Sequence, residues 1–434
     1  MPPDNPNAPA ASNANANARA PSASPRPDDL LAALGLALAA AVSLGLARFA
    51  YGLVLPAMRA ELGWSYFLAG AMNTANAAGY LVGALLMPRL LVRHDARSLL
   101  LWGGWASAAL LAAHAFTRSD AVLLMLRLLC GTASAASFVC GGLLAARLAS
   151  DSAPPGGSSR HAGLILGLYY GGVGLGIIAA SLGVPALLGA EAHPPWTGWP
   201  GAWLLLGVLA ALLSAVTARL TRRLQAPPVA PAPGAVRPQA AWRPMGWLLS
   251  GYLMFGLGYI GYMTFVVTLL REQGRSTPEI VAFYSLLGAG VCASSWLWAG
   301  LLQRYRDGTP LARLNALLGV ATALPVLAAA VPGAAALVWV SGLLFGAVFL
   351  SVVASTTAFV RHNLPAAAWP AGISAFTILF AAGQIVGPGL TGLVADAAGG
   401  GVIGLMRGLA VSAGLLMLGA ALARRQQALA STTG

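Results

Sequence analysis

The sequence predicts an all-α membrane protein of twelve transmembrane helices in two pseudo-symmetric six-helix bundles. Hydropathy, the placement of arginine and a weak internal repeat carry that expectation. Of 434 residues, 58% are hydrophobic and 9% charged, about a third of the ~25% usual in a soluble domain. A disordered chain is never this apolar, and a soluble globule could not cover such a core with so few charges. Every basic residue is Arg, and 25 of them against 12 acids give a net charge of +13. Cys130, Cys140 and Cys292 lie in apolar runs, so neither a disulfide framework nor a zinc spacing is present.

Residues 1–29, rich in Pro, Ala, Asn and Ser, lack the charged start and apolar stretch of a signal peptide and read as a disordered cytoplasmic tail. From Leu30 onward, long apolar stretches alternate with short polar ones. Helices are expected at about 30–56, 65–88, 98–117, 120–146, 162–188, 199–219, 245–270, 278–302, 311–331, 334–360, 368–395 and 402–423. Each can cross a hydrocarbon layer of ~30 Å. Their many Gly and Ala residues, such as the pair Gly342 and Gly346, suit close helix–helix contact in lipid. Residues 30–220 then form an N-terminal bundle and 245–423 a C-terminal bundle. A Pro/Arg-rich cytoplasmic linker, 221–244, joins them without fixing their orientation, and 424–434 is a cytoplasmic tail.

An even number of spans puts both termini on one side. Flanks on that side carry 18 Arg, the opposite flanks carry five (Arg59, Arg118, Arg271, Arg275 and Arg407), and Arg48 and Arg127 fall inside spans. By the positive-inside rule the termini are cytoplasmic, in a multi-pass plasma (bacterial inner) membrane. The basic pI is then a topology signal, and no nucleic-acid partner is needed to explain it.

The halves repeat. Gly45-Leu46-Ala47-Arg48-Phe49-Ala50-Tyr51 in helix one and Gly256-Leu257-Gly258-Tyr259-Ile260-Gly261-Tyr262 in helix seven share the pattern G-L-small-x-x-small-Y, 211 residues apart. Arg127-Leu-Leu-Cys-Gly131 in helix four aligns with Gly342-Leu-Leu-Phe-Gly346 in helix ten, 215 residues apart. Chance likeness between Gly-rich helices competes for either pair alone; the shared offset, the linker and the helix count argue against it. Two parallel six-helix copies would be related by an axis along the membrane normal.

With these residues the chain resembles the major facilitator superfamily. Arg127-x-x-x-Gly131-x-Ala133-Ser134-Ala135 is similar to the family's helix-four motif. The loop after helix two keeps Gly83 and Arg89 of the family pattern but lacks its Asp. Helix five keeps Gly171, Gly172, Gly174 and Gly176 without the usual Pro, and helix eleven has Gly387-Pro388-Gly389 instead. Gly45 to Gly52 with Leu55-Pro56, Asn73-Thr74-Ala75-Asn76 and Gly258-Tyr259-Ile260 resemble the YbfB/YjiJ-type branch. The resemblance covers roughly 30–423. It implies the facilitator fold, a central cavity lined by helices one, four, seven and ten, and alternating access with Gly83, Arg89, Gly131, Gly387 and Pro388 in gating or conformational roles.

Intramembrane charge is costly and usually functional. Arg48 and Arg127 each lie ~10–12 Å below the outer surface at ~1.5 Å per residue, and neither has an acidic partner in its own span. Guanidinium matches a carboxylate or phosphate in bidentate fashion, so both are candidate contacts for an anionic substrate. The competing reading is that Arg127 hydrogen-bonds its surroundings and holds the bundle. Asn73 and Asn76 share a helix face, Tyr51 follows Arg48 by three residues, and Tyr259 and Tyr262 repeat that spacing in helix seven. With Tyr170 and Gln384 they could complete the site; interhelical hydrogen bonding at ~0.6 kcal/mol each is the bland alternative. All twelve acids lie in tails, loops or helix ends. Facilitated diffusion, anion exchange or proton coupling through the substrate is therefore expected.

The expected function is a secondary-active or facilitative transporter of a small organic solute, anionic in character. Export of amphiphilic drug-like compounds is the alternative, and a transport-fold sensor is the rival from another class. No enzyme is expected: H-E-x-x-H is absent, and Gly372-Ile-Ser374 has no His within a span to act as its base. No cofactor or metal is called for. The expected partners are a small molecule and the bilayer, and the chain should be a monomer.

Overall fold

The computed structural model describes residues 27–151, 160–188, 197–224, 242–365 and 368–429. The expected tail (1–26 of it) and most of the linker (225–241) lie outside the described residues.

Among those residues the chain is helical throughout. Eleven helices are long and apolar enough to span a membrane. They are α1 (Pro27–Leu62), α3 (Ala96–Phe116), α4 (Asp120–Asp151), α5 (Ala162–Leu188), α6 (Gly198–Leu220), α7 (Arg243–Glu272), α8 (Thr277–Arg304), α9 (Thr309–Ala330), α10 (Ala334–Asn363), α11 (Trp369–Ala397) and α12 (Gly401–Arg424). The twelfth, α2 (Tyr66–Leu90), is as long as its neighbours. Its Asn73, Thr74, Asn76 and Tyr80 make it less apolar, and the first three bond to facing helices.

Local chemistry sets the ends. Asp28 and Asp29 occupy the first turn of α1, where carboxylates offset the helix dipole. Gly63 stops α1 at φ 66°, a left-handed cap glycine adopts without strain. Ser65 caps α2 by accepting from Leu68 N at 3.1 Å, and Ser276 with Glu279 forms a capping box on α8.

Packing reveals the repeat more plainly than sequence does. In the N-terminal half α2 packs on α4, α3 on α4 and α6, and α1 on α5; in the C-terminal half the same pairs recur as α8 on α10, α9 on α10 and α12, and α7 on α11. The main contacts between halves are α5 with α8 and α2 with α11, which the six-helix offset exchanges. The aligned glycines share one job. A Cβ at Gly131 would lie 2.0 Å from the Asn76 carbonyl of α2, and one at Gly346 would lie 2.0 Å from the Leu287 carbonyl of α8. Only glycine permits those crossings.

The two ends of the molecule differ. On the face opposite the termini (the distal face), Arg59 of α1 pairs with Glu272 of α7 at 3.3 Å, and the Tyr66 hydroxyl of α2 donates to the same carboxylate. Asp396 of α11 accepts from Tyr66 N at 2.9 Å and Phe67 N at 2.8 Å. Gly70 of α2 packs on the Pro388 carbonyl of α11, where a Cβ would fall at 2.4 Å. Nearer the terminal face the halves also meet, through Cys292 Sγ donating to Gly171 O at 3.3 Å and Gly167 packing on the Trp296 ring. The charged contacts between halves described here lie on the distal face.

Candidate functional site

The two intramembrane arginines, similar in sequence depth, have different surroundings. Arg127 of α4 is 1% exposed and wholly engaged by its own half. Its guanidinium donates to Ala47 O at 3.0 Å, Met72 O at 3.4 Å and Asn73 Oδ1 at 3.4 Å. It lies over the Tyr51 ring at 4.8 Å and the Trp203 ring at 5.8 Å. These contacts tie α4 to α1, α2 and α6. Asn76 donates back to Arg127 O at 3.2 Å.

Arg48 reaches instead across the gap between halves. It lies in a π-helical stretch of α1, Ala41–Phe49, closed by Ala50 N donating five residues back to Gly45 O at 3.0 Å. Such wide turns cost hydrogen-bond geometry and recur at functional sites. Arg48 Nη2 donates to Gln384 Oε1 of α11, and the Tyr259 hydroxyl of α7 donates to the same oxygen at 2.6 Å. Its Nε is buried without a hydrogen-bond partner. None of the ion pairs among the described residues reaches Arg48. A guanidinium that is 3% exposed and lacks a counter-charge costs several kcal/mol. The rings of Tyr80 at 5.5 Å and Phe49 at 6.0 Å offset part of that cost.

The remaining sequence-selected residues divide accordingly. Gln384 and Tyr259 join Arg48. Tyr170, 39% exposed, stands edge-on to Phe138 and Tyr169 and within electrostatic reach of Tyr80, itself beside Arg48 and Tyr259. The others are engaged elsewhere: Tyr51 OH donates to Ala69 O at 2.7 Å, Asn73 Nδ2 to Thr264 Oγ1 at 2.7 Å, and Tyr262 OH pairs with Ser341 Oγ at 2.7 Å. Of the conformational candidates, Gly83 packs on Thr132 O and Gly387 on Leu257 O, each inside its own half. Pro388 lies on the seam between halves, and Arg89 is exposed.

Sequence reasoning missed Tyr80 and the phenylalanines around Tyr259, which look like ordinary membrane-core residues. It also missed the distal clamp of Arg59, Tyr66, Glu272 and Asp396. The matched Arg59 and Arg271 at equivalent helix ends were the available signal.

Two similar six-helix halves with a buried guanidinium reaching from one to the other are the arrangement of a membrane transport protein. The chain belongs to the major facilitator superfamily: residues 40–424 match the family of the uncharacterised MFS-type transporter YbfB. No curated protein sequence is similar enough to match. Among solved structures it is similar to a bacterial homolog of the human lysosomal transporter Spinster, in an inward-facing and unoccupied conformation, with a TM-score of 0.69, 16% identity, and 92% and 97% of the two chains covered. It is also similar to the nucleoside transporter NupG, with a TM-score of 0.66, 14% identity, and 92% and 98% covered. A point mutant of NupG gives a TM-score of 0.70 at 14% identity, with 92% and 99% covered.

Proposed function

We propose that the protein carries a small organic anion across the cytoplasmic (bacterial inner) membrane by alternating access, with both termini in the cytoplasm. The single observation behind the anion is Arg48, a buried guanidinium between the halves with a free Nε and an amide oxygen in place of a counter-ion. Gln384 Oε1 collects donors from α1 and α7, where a carboxylate or phosphate oxygen would be held more strongly because the bonds become charge-assisted. Substrate binding would relieve the cost of the bare cation, and that cost is specific to the empty site.

With the termini on the cytoplasmic side, which the positive-inside bias supports, the face carrying the Arg59–Glu272 and Asp396 contacts would be the external one. Transport then requires the distal clamp to open as the halves rock. Such rocking about a midplane site is how two-repeat carriers alternate. Arg127, fully bonded within one half, is assigned to holding that half rigid during the motion. The chain acts as a monomer in this scheme, since both halves of the site come from one chain.

The test is uptake and counterflow of labelled organic anions in proteoliposomes by wild type, Arg48→Ala and Arg48→Lys. Loss in Arg48→Ala with partial activity in Arg48→Lys is expected. Wild-type transport by both variants would sink the proposal, and absence of counterflow would favour a sensor.

A further inference from the structure

The proposed anion site lies against a wall of nearly parallel aromatic rings. The Phe255 and Tyr259 rings stack at 4.7 Å and 19°. Phe380 stacks on Phe255 at 5.4 Å and 5°, and on Tyr259 at 5.6 Å and 17°. Phe349 continues the stack from Tyr259 at 6.0 Å and 10°. All four belong to the C-terminal half, on α7, α10 and α11. The Tyr80 ring, from α2 of the other half, lies 5.5 Å from the Arg48 guanidinium. Tyr80 and Phe380 are half-buried.

Edge-to-face and offset geometries compete, and clusters usually mix them. Here four rings from three helices share one orientation near Arg48, while Phe49 meets Phe349 edge-on at 5.5 Å and 86°. A flat ring inserted along the same direction would gain an offset stack, whereas a saturated ring of equal size would gain only contact area.

We infer that the substrate is a planar aromatic carboxylate: its carboxylate replaces Gln384 Oε1 on Arg48 and Tyr259, and its ring stacks beside Tyr259 and Phe380. The inference rests on the reading of Arg48 as an anion site, and the test separates the two. Three probes differ in one property each. Benzoate has charge and ring, cyclohexanecarboxylate keeps charge and approximate size but loses the π-system, and benzamide keeps shape and π-system but loses charge.

Calorimetric titration of the purified full-length protein should give benzoate about 5- to 10-fold tighter binding than cyclohexanecarboxylate, the scale of one aromatic stack, and no binding of benzamide. Phe380→Leu should bring the benzoate-to-cyclohexanecarboxylate ratio close to one while leaving cyclohexanecarboxylate affinity within about twofold. If Phe380→Leu fails to fold, Phe380→Met replaces it with the same expected direction. Equal affinity for the two acids in wild type would overturn the aromatic inference and leave the anion reading standing. Benzamide binding as tightly as benzoate would overturn the anion reading. Failure of all three at millimolar concentration would overturn the assignment of this substrate class.

Discussion

Asp396→Asn should unlock the distal face. Asp396 ends α11 in one half, and its carboxylate accepts from Tyr66 N and Phe67 N at the start of α2 in the other, at 2.9 and 2.8 Å. It therefore caps a helix across the seam, where unpaired N–H groups and the helix dipole both favour an anion. Hydrogen bonds to a charged group contribute about 1.5–3 kcal/mol and neutral ones about 0.5–1.5. Asparagine keeps one acceptor oxygen without charge. When the face opens, water takes over the freed amides, so the net loss is roughly 1–2 kcal/mol. That moves the equilibrium toward the distally open state by about 5- to 30-fold. The reporter is Thr268→Cys in a Cys292→Ser background. Thr268 is 1% exposed and lies four residues beyond Thr264, so it shares the α7 face that meets Asn73 of α2. Alkylation by an impermeant maleimide added outside should accelerate by that factor in Asp396→Asn and further in Asp396→Ala. An unchanged rate in both would refute the claim that this carboxylate holds the halves together.

Four further outcomes test the roles assigned above. Arg127→Ala should lower the thermal stability of the detergent-solubilised protein by about 3 kcal/mol or more, because it orphans the carbonyls of Ala47 and Met72 together with Asn73 Oδ1. Arg48→Ala should leave stability unchanged or raise it, since it removes an uncompensated charge; equal melting shifts for the two would erase the distinction. Gln384→Glu places a carboxylate on Arg48 and Tyr259, so anion uptake should fall at least about tenfold with the fold intact, checked by transport alongside circular dichroism. Gly346→Ala puts a methyl 2.0 Å from the Leu287 carbonyl and should cost about 1–3 kcal/mol by prising α10 from α8, measured as a lowered melting temperature.

Helix existence was readable because the bilayer imposes it: each span must satisfy its own backbone and present an apolar exterior. Even α2, the least apolar span, was expected at 65–88 as one of the apolar stretches between polar breaks. The site was half readable. Intramembrane charge flagged Arg48 and Arg127 alike, since composition reports the cost of a charge and not what surrounds it. Their difference arises from where α1 and α4 point, which tertiary packing decides. The Ala41–Phe49 stretch contains no proline and no residue that marks a π-helix, so the register shift that places Arg48 was invisible. The clamp was missed because its bonds join residues more than 200 positions apart, as in Arg59 with Glu272, or 330 apart, as in Tyr66 with Asp396.

The geometry also connects the proposed site to the clamp without a long relay. Gln384 and Asp396 lie on one helix, α11, with Pro388 between them, and proline removes a helical hydrogen bond where it sits. At that point the α11 backbone meets Gly70 of α2, so α11 touches the other half at three levels: the arginine, the proline and the cap. Thr264 and Glu272 do the same along α7, through Asn73 and through Arg59 and Tyr66. In the proposed cycle an anion that takes Gln384's place on Arg48 removes the direct tie between α1 and α11 and puts in its place a tie from Arg48 of α1 to Tyr259 of α7. The halves then remain joined at mid-membrane while the Asp396 cap and the Arg59–Glu272 pair are free to break. An empty site keeps Gln384 on Arg48, and a loaded one exchanges that bond for a stronger ionic one. Coupling by exchange of partners at one arginine requires no titrating carboxylate in the span centres, in accord with where the twelve acids of this sequence fall.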